Sequence, residues 1–187
     1  SHLVLLSGRG ERHARMGEEA VRTSGLDYTL VRAAWFAQNF SEGYLRDPIL
    51  EGVLPMPGGM IQEPIIDIDD IADVVVAALT EDGHKGELYE VTGPRLLSFA
   101  DMAAILGTAI GAPIHHVPIS FQDFHANVAA VGDDFVADVF TAIARETLDG
   151  RNAQTCDGVQ RALGRKPRDF AEYAIKAAKA GAWSKVA

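Results

Sequence analysis

Four carboxylates fall between positions 67 and 73, at Asp67, Asp69, Asp70 and Asp73. Such a cluster holds a hard divalent cation when further oxygen ligands complete the shell. No histidine or additional carboxylate is spaced to do so, and helix capping with favourable dipole charge is the better account. His115 and His116 are adjacent, so on a strand they face opposite ways and do not readily share one ion. Cys156 is the sole cysteine, with Arg151 and Arg161 as its basic neighbours in sequence. A nucleophile needs a base partner, and none is visible, so Cys156 reads as inert.

Two other stretches carry chemistry of a different kind. Ser7 and Gly8 end the apolar run Leu3–Leu6, and small residues at the carboxyl end of a parallel strand let a ligand approach the backbone. The plainer reading is a tight strand-to-helix turn. Ala33-Ala34-Trp35-Phe36 follows a second apolar run, and joins two small residues to two aromatic faces, which suit the wall of a flat ligand site. The alternative is a pair of ordinary core aromatics. Asn39 offers an amide to a substrate or, more simply, to its own loop. Gly8-Arg9-Gly10 lacks the third glycine of a phosphate loop.

The elements that must position these residues alternate. Leu3–Leu6 has the pattern of a strand buried on both faces of a parallel sheet. Residues 11–24 suit a helix stopped at Ser24-Gly25, and Tyr28–Val31 supplies the next strand, giving a parallel strand–helix–strand unit. Over 35–45, Phe36, Phe40 and Tyr44 share one face of an expected helix. Gly52–Met60 is expected as loop. Ile65–Ile68 reads as extended, and Asp69 or Asp70 then caps a helix with Ile71, Val75 and Leu79 on its apolar stripe. A strand is expected over 87–92. Ser98 and Asp101 form a capping-box pair opening a helix that Gly111 stops. His115–Ile119 reads as extended, followed by helices over about 121–131, 133–149 and 169–182.

Composition sets outer limits. The chain has 187 residues, of which 48% are hydrophobic and 23% charged. Those shares are ordinary for a globular chain. A formal charge of −9 without any Lys/Arg run argues against nucleic acid and acidic membranes as partners. One cysteine forms no internal disulfide, which fits a reducing cytoplasmic setting. No apolar run approaches the roughly 20 residues that span a bilayer.

In family order, the chain contains Leu3-Val4-Leu5-Leu6-Ser7-Gly8, then Glu19 and Ser24-Gly25-Leu26-Asp27-Tyr28-Thr29-Leu30-Val31-Arg32. Trp35-Phe36-Ala37-Gln38-Asn39-Phe40, Asp70-Ile71-Ala72-Asp73 and Glu87-Leu88-Tyr89-Glu90-Val91-Thr92-Gly93-Pro94 follow. With these pieces the chain resembles the NmrA-like branch of the atypical, extended short-chain dehydrogenases/reductases. The resemblance implies an α/β fold: residues 1–111 as the later part of a Rossmann-like parallel-sheet domain, and 112–187 as a mainly helical substrate lobe. It implies NADP(H) or NAD(H) as cofactor, with Ser7, Gly8, Arg15, Ala33, Ala34, Trp35 and Phe36 on the cofactor side. Trp35, Asn39 and Phe40 fall on the substrate side.

Two departures qualify what the resemblance implies. The family's glycine-rich phosphate turn is not in the chain, so the phosphate-gripping half is expected before Ser1. The chain alone is then expected to bind NAD(P) weakly or not at all, and an exposed sheet edge invites a homodimer. Secondly, Glu11 and Arg15 occupy the positions of the family's Tyr/Lys pair, in which Lys lowers the phenol pKa. Standard Tyr-dependent carbonyl reduction is not expected. Three readings stand: hydride transfer to a small, quinone-like acceptor, a non-catalytic NAD(P)-binding redox sensor, or a fragment without cofactor binding.

Overall fold

The computed structural model describes residues 1–184. Strand β1 (His2–Gly8), helix α1 (Arg12–Arg22) and strand β2 (Asp27–Ala33) form the opening unit. β1 and β2 are parallel, with Leu5 opposite Leu30 and Gly8 opposite Ala33. β2 is the middle strand of three, because Leu88–Val91 pairs along its other side, also in parallel. Leu30 and Val31 in β2 are fully buried, whereas Leu6 in β1 is 45% exposed and Leu3 to Leu5 are only half-buried. Among the described residues β1 pairs on one side only, and its residues fall short of the expected burial on both faces.

After β2 the chain does not form the expected α-helix over 35–45. Two 3₁₀ turns, Ala37–Phe40 and Gly43–Leu45, stand there instead. Ala37 N–H donates to Ile66 O, and Gly43 has a positive φ of 66°. That left-handed conformation, open to glycine, breaks the helical path. Phe36 consequently packs in a small core with Val31, Ile66 and Val91, while Phe40 and Tyr44 enter a larger one. A short helix α2 (Arg46–Leu50) leads to strand β3 (Val53–Met56), which lies in the stretch expected as loop. β3 runs parallel to His115–Pro118, far along the chain, and buries Leu54 and Met56 by simple alternation. Local Gly and Pro density hides a strand whose partner is distant; a two-stranded pair tolerates Pro55.

β4 (Gln62–Glu63) is shorter and earlier than the extended segment expected at 65–68, where Ile66 makes only one bridge, to Phe36. Helix α3 (Ile68–Thr80) is capped by Asp67, not Asp69 or Asp70, with Asp67 accepting from Asp69 N–H at 3.0 Å, as an N-cap carboxylate does. Its buried face is Ile71, Val74, Ala77 and Ala78, and Leu79 is 57% exposed. The expected stripe is rotated because positions four apart drift round the helix.

β5 (Leu88–Val91) completes the sheet, and β6 (Leu97–Ser98) pairs with β4 antiparallel. Helix α4 (Phe99–Ile110) carries the expected Ser98/Asp101 capping box and ends on Gly111 at φ 80°. Both devices satisfy backbone groups that a helix end leaves unpaired. β7 (His115–Pro118) is the partner of β3. Helices α5 (Phe121–Ala129), α6 (Asp134–Thr147), α7 (Gly158–Leu163) and α8 (Phe170–Lys179) follow, of which α7 was not expected from sequence.

The larger core draws on both sides of residue 111, joining Phe40, Leu54 and Phe99 to Phe124, Ala144, Phe170 and Tyr173. Each large side chain buried there contributes roughly 1.5–3 kcal/mol. The Phe40 and Phe170 rings meet edge to face at 5.1 Å, a favoured aromatic geometry. The four aspartates are spent on architecture. Asp67 caps α3, Asp69 pairs with Lys176, and Asp70 and Asp73 clamp Arg165 and Arg168.

Candidate functional site

A cavity of about 310 Å³ opens at the carboxyl ends of β1 and β2. From β1 and its turn come Leu6, Ser7, Gly8, Arg9 and Glu11. From β2 and its exit come Ala33, Ala34, Trp35, Phe36 and Asn39, and α6 closes the cavity with Phe140 and Ile143. The floor is small because parallel strands end there and the chain turns away at Gly8 and Ala33. The wall is aromatic, and most of the lining is apolar, as in small-molecule sites generally.

The groups around the floor are held by an ion-pair network. Ser7 hydroxyl donates to Glu18 at 2.6 Å, and Arg32 bridges Glu18 at 2.5 Å and Glu90 at 2.5 Å. Arg9, only 5% exposed, donates to Asn152 O at 2.8 Å and to Cys156 Sγ at 3.4 Å, with Glu90 also 3.4 Å away. Burial works to raise the Glu18 and Glu90 carboxyls, but hydrogen bonds led by Arg32 outweigh it and hold both below their ordinary values, since a cation favours the charged form. Burial pushes the Cys156 thiol up, which agrees with an inert side chain. The wall is fixed too: Trp35 indole N–H donates to Thr147 Oγ1 at 3.1 Å.

Glu11 is the N-cap residue of α1 yet makes no capping hydrogen bond. Its carboxyl lies over Gly8, so close that a methyl group there would come within 1.7 Å of Oε1. Burial first, then the nearby Glu146 carboxylate, push its pKa above the ordinary value; both disfavour a second negative charge.

Of the residues singled out by sequence, Ser7, Gly8, Ala33, Ala34, Trp35, Phe36 and Asn39 share this cavity, together with Glu11. Arg15 lies on a neighbouring cavity of about 410 Å³ with Arg9, Arg12, Arg32 and Arg151. Phe40 is 2% exposed within the larger core and is not among the lining residues. His115 is exposed, His116 bonds Met56 O at 3.1 Å, and neither lines the cavity. The Gly8–Gly10 turn is used internally, with Arg9 N–H on Ala33 O at 2.9 Å. Phe140 and Ile143 were missed, since an amphipathic helix does not announce which sheet end it will cover.

No family model matches the chain. Among curated proteins, it is 34% identical to the NAD(P)H azoreductase of Xenophilus azovorans over 183 residues, covering 92% of this chain and 64% of that protein. Among solved structures, an NADPH-dependent quinone oxidoreductase from Escherichia coli superposes with a TM-score of 0.80 at 24% identity, covering 94% of this chain and 66% of the other. NmrA, a negative transcriptional regulator solved with NAD, superposes at 0.62 with 17% identity, covering 96% and 64%. The chain thus spans less than two-thirds of the length of these curated relatives.

Proposed function

We propose that the chain, 34% identical to an NAD(P)H azoreductase, belongs to the NmrA-like branch of the extended short-chain dehydrogenases/reductases and serves an NAD(P)H-dependent oxidoreductase acting on a quinone-like or other small, flat acceptor. The observation that carries this reading is the cavity itself. Gly8, Ala33 and Ala34 make a floor that a ring can approach closely, Trp35 and Phe36 make a flat wall, and Phe140 and Ile143 stand over it. Such a lining binds a flat ligand and excludes water. At about 310 Å³ it suits the nicotinamide end of a dinucleotide with an acceptor beside it. When bound, the reduced nicotinamide supplies hydride. The chain's own residues orient the acceptor: Trp35 by stacking and Asn39 by its amide, which makes no side-chain hydrogen bond among the described residues. Arg15 and Phe40 stay outside this assignment.

Titration calorimetry with NADPH, followed by stopped-flow NADPH oxidation with a panel of quinones, tests the proposal. Saturable turnover supports it, and absence of NADPH binding by the whole protein overturns it. The second reading is a dinucleotide sensor without chemistry. It is favoured by Arg15 lining the neighbouring cavity and not the one that holds Glu11, the two residues that stand where the family has its Tyr/Lys pair. Binding without turnover would select it. Among the described residues no helix is long and apolar enough to cross a membrane. The cytoplasmic setting belongs to this proposal, as does pairing of two copies along the β1 edge.

A further inference from the structure

A two-electron reduction by hydride leaves the acceptor one proton short. We propose that Glu11 is the acid that supplies this proton, an inference that rests on the oxidoreductase reading above. Among the cavity's polar side chains, Ser7, Trp35 and Arg9 are committed. The Ser7 hydroxyl is given to Glu18 at 2.6 Å, the Trp35 indole N–H to Thr147 at 3.1 Å, and the Arg9 guanidinium to Asn152 O, Cys156 and Glu90. Asn39 orients but has no acidic proton. Among the described residues the Glu11 carboxyl has neither a hydrogen bond nor an ion pair, and it sits over Gly8 at the cavity floor.

Glu11's position also keeps its proton. Ser, Thr, Asp or Asn at a helix N-cap would accept from the first-turn N–H groups, and a carboxylate doing so stays ionised. Glu11 does not cap, and the N–H of Arg12 goes to Glu146 at 3.1 Å. Facing Glu11 from α6 is Glu146, itself 4.0 Å from Arg151 of the following loop. Arg9 and Arg32, from β1's turn and β2, point to Glu90 and Glu18. Arg12 and Arg15 lie on α1 itself and line the neighbouring cavity. Burial and Glu146 raise the carboxyl's pKa. The partial positive charge of the helix start opposes this, and the net direction is upward.

The step balances. A quinone accepts hydride at one oxygen and carries negative charge on the other. The Glu11 O–H bond breaks, its proton forms the second hydroquinone O–H bond, and a proton taken up from solvent restores the carboxyl, so the overall reaction consumes one solvent proton. The nicotinamide is oxidised and the quinone reduced.

The test uses wild type, Glu11→Gln and Glu11→Asp, with NADPH and menadione as probes. Carbon-13 NMR of the ligand-free protein, with the Glu11 resonance assigned by its loss in E11Q, should show a midpoint above the usual Glu value of about 4.3. Menadione reduction should fall with pH through that same midpoint. E11Q should lose on the order of 100-fold in turnover, bind NADPH as wild type does, and lose this pH dependence. E11D should retain the pH dependence. A Glu11 midpoint at or below the usual value, or an E11Q rate equal to wild type, overturns the role of Glu11 alone. A wild type that neither binds NADPH nor reduces any acceptor overturns it together with the oxidoreductase reading.

Discussion

The indole N–H of Trp35 donates to Thr147 Oγ1 at 3.1 Å, joining the cavity wall to the last turn of α6 from far along the sequence. Thr147 is 1% exposed and passes its own hydroxyl proton to Ile143 O at 2.7 Å. The helical segment thereby sets the angle of the aromatic wall at the sheet end. Thr147→Val keeps the shape and removes the acceptor, at a cost of roughly 1–3 kcal/mol for a buried donor left unmatched. Urea unfolding should show a lower midpoint, and menadione KM should rise more than kcat falls. An unchanged KM would show that the wall does not need this bond.

Asp70 is fully buried and receives Arg165 at 2.7 Å, Arg168, and the Arg168 N–H at 2.7 Å. It fastens α3 to the segment that leads into α8. Asp70→Asn should cost about 2–3 kcal/mol in urea unfolding, short of the roughly 3–5 kcal/mol expected for a wholly buried pair. The discount follows because the Arg165 and Arg168 side chains are 38% and 35% exposed and remain solvated.

Glu63 is 1% exposed, and among the described residues neither of its carboxylate oxygens has a hydrogen-bond partner. Burial raises its pKa to about 7, with Arg9 pulling down and Asp149 pushing up. A carboxyl raised in the fold binds its proton more tightly folded than unfolded. Its contribution is therefore fully present below the unfolded pKa near 4.5 and lost as pH rises through about 7. The loss amounts to roughly 3 kcal/mol at about 1.4 kcal/mol per pH unit. Wild-type stability should decline across that window. Glu63→Gln should flatten the decline, and an equal slope in both proteins would contradict the assignment.

Gly158 begins α7 against the backbone of β5, and a Cβ there would lie 2.2 Å from Glu90 O. At Gly93 the nearest atom would be Ile65 O, at 2.1 Å. Backbone cannot swing aside as a side chain can, so Gly158→Ala and Gly93→Ala should each lower stability by about 1–3 kcal/mol or more. At Gly8 the near atom is the flexible Glu11 carboxyl, so Gly8→Ala should displace Glu11 at little cost in stability. Thermal unfolding separates the two behaviours.

Local signals made the early strand–helix–strand legible, as they did the Ser98/Asp101 box and the Gly111 stop. Each is written in adjacent residues, and so are the small and aromatic residues that end β1 and β2. What stayed hidden depends on distant partners. β3 exists because β7 pairs with it, α7 because Gly158 fits against β5, and the 3₁₀ turns because Ala37 is diverted to Ile66. The same holds at the cavity. Its floor was readable, but the Phe140–Ile143 cover and the partnering of Trp35 by Thr147 come from a helix much later in the chain. Glu11 was visible only as a replacement; its lack of a partner among the described residues required the folded geometry.

The central claim is that the ends of β1 and β2 receive the nicotinamide. The most direct measurement is intermolecular NOE contact between the ring protons of bound oxidised dinucleotide and the methyl groups of Ala33 and Ala34 in the whole protein. Contacts to both methyls, weakening as menadione is added, are the expected result. Saturable dinucleotide binding with no contact to either alanine would contradict the claim.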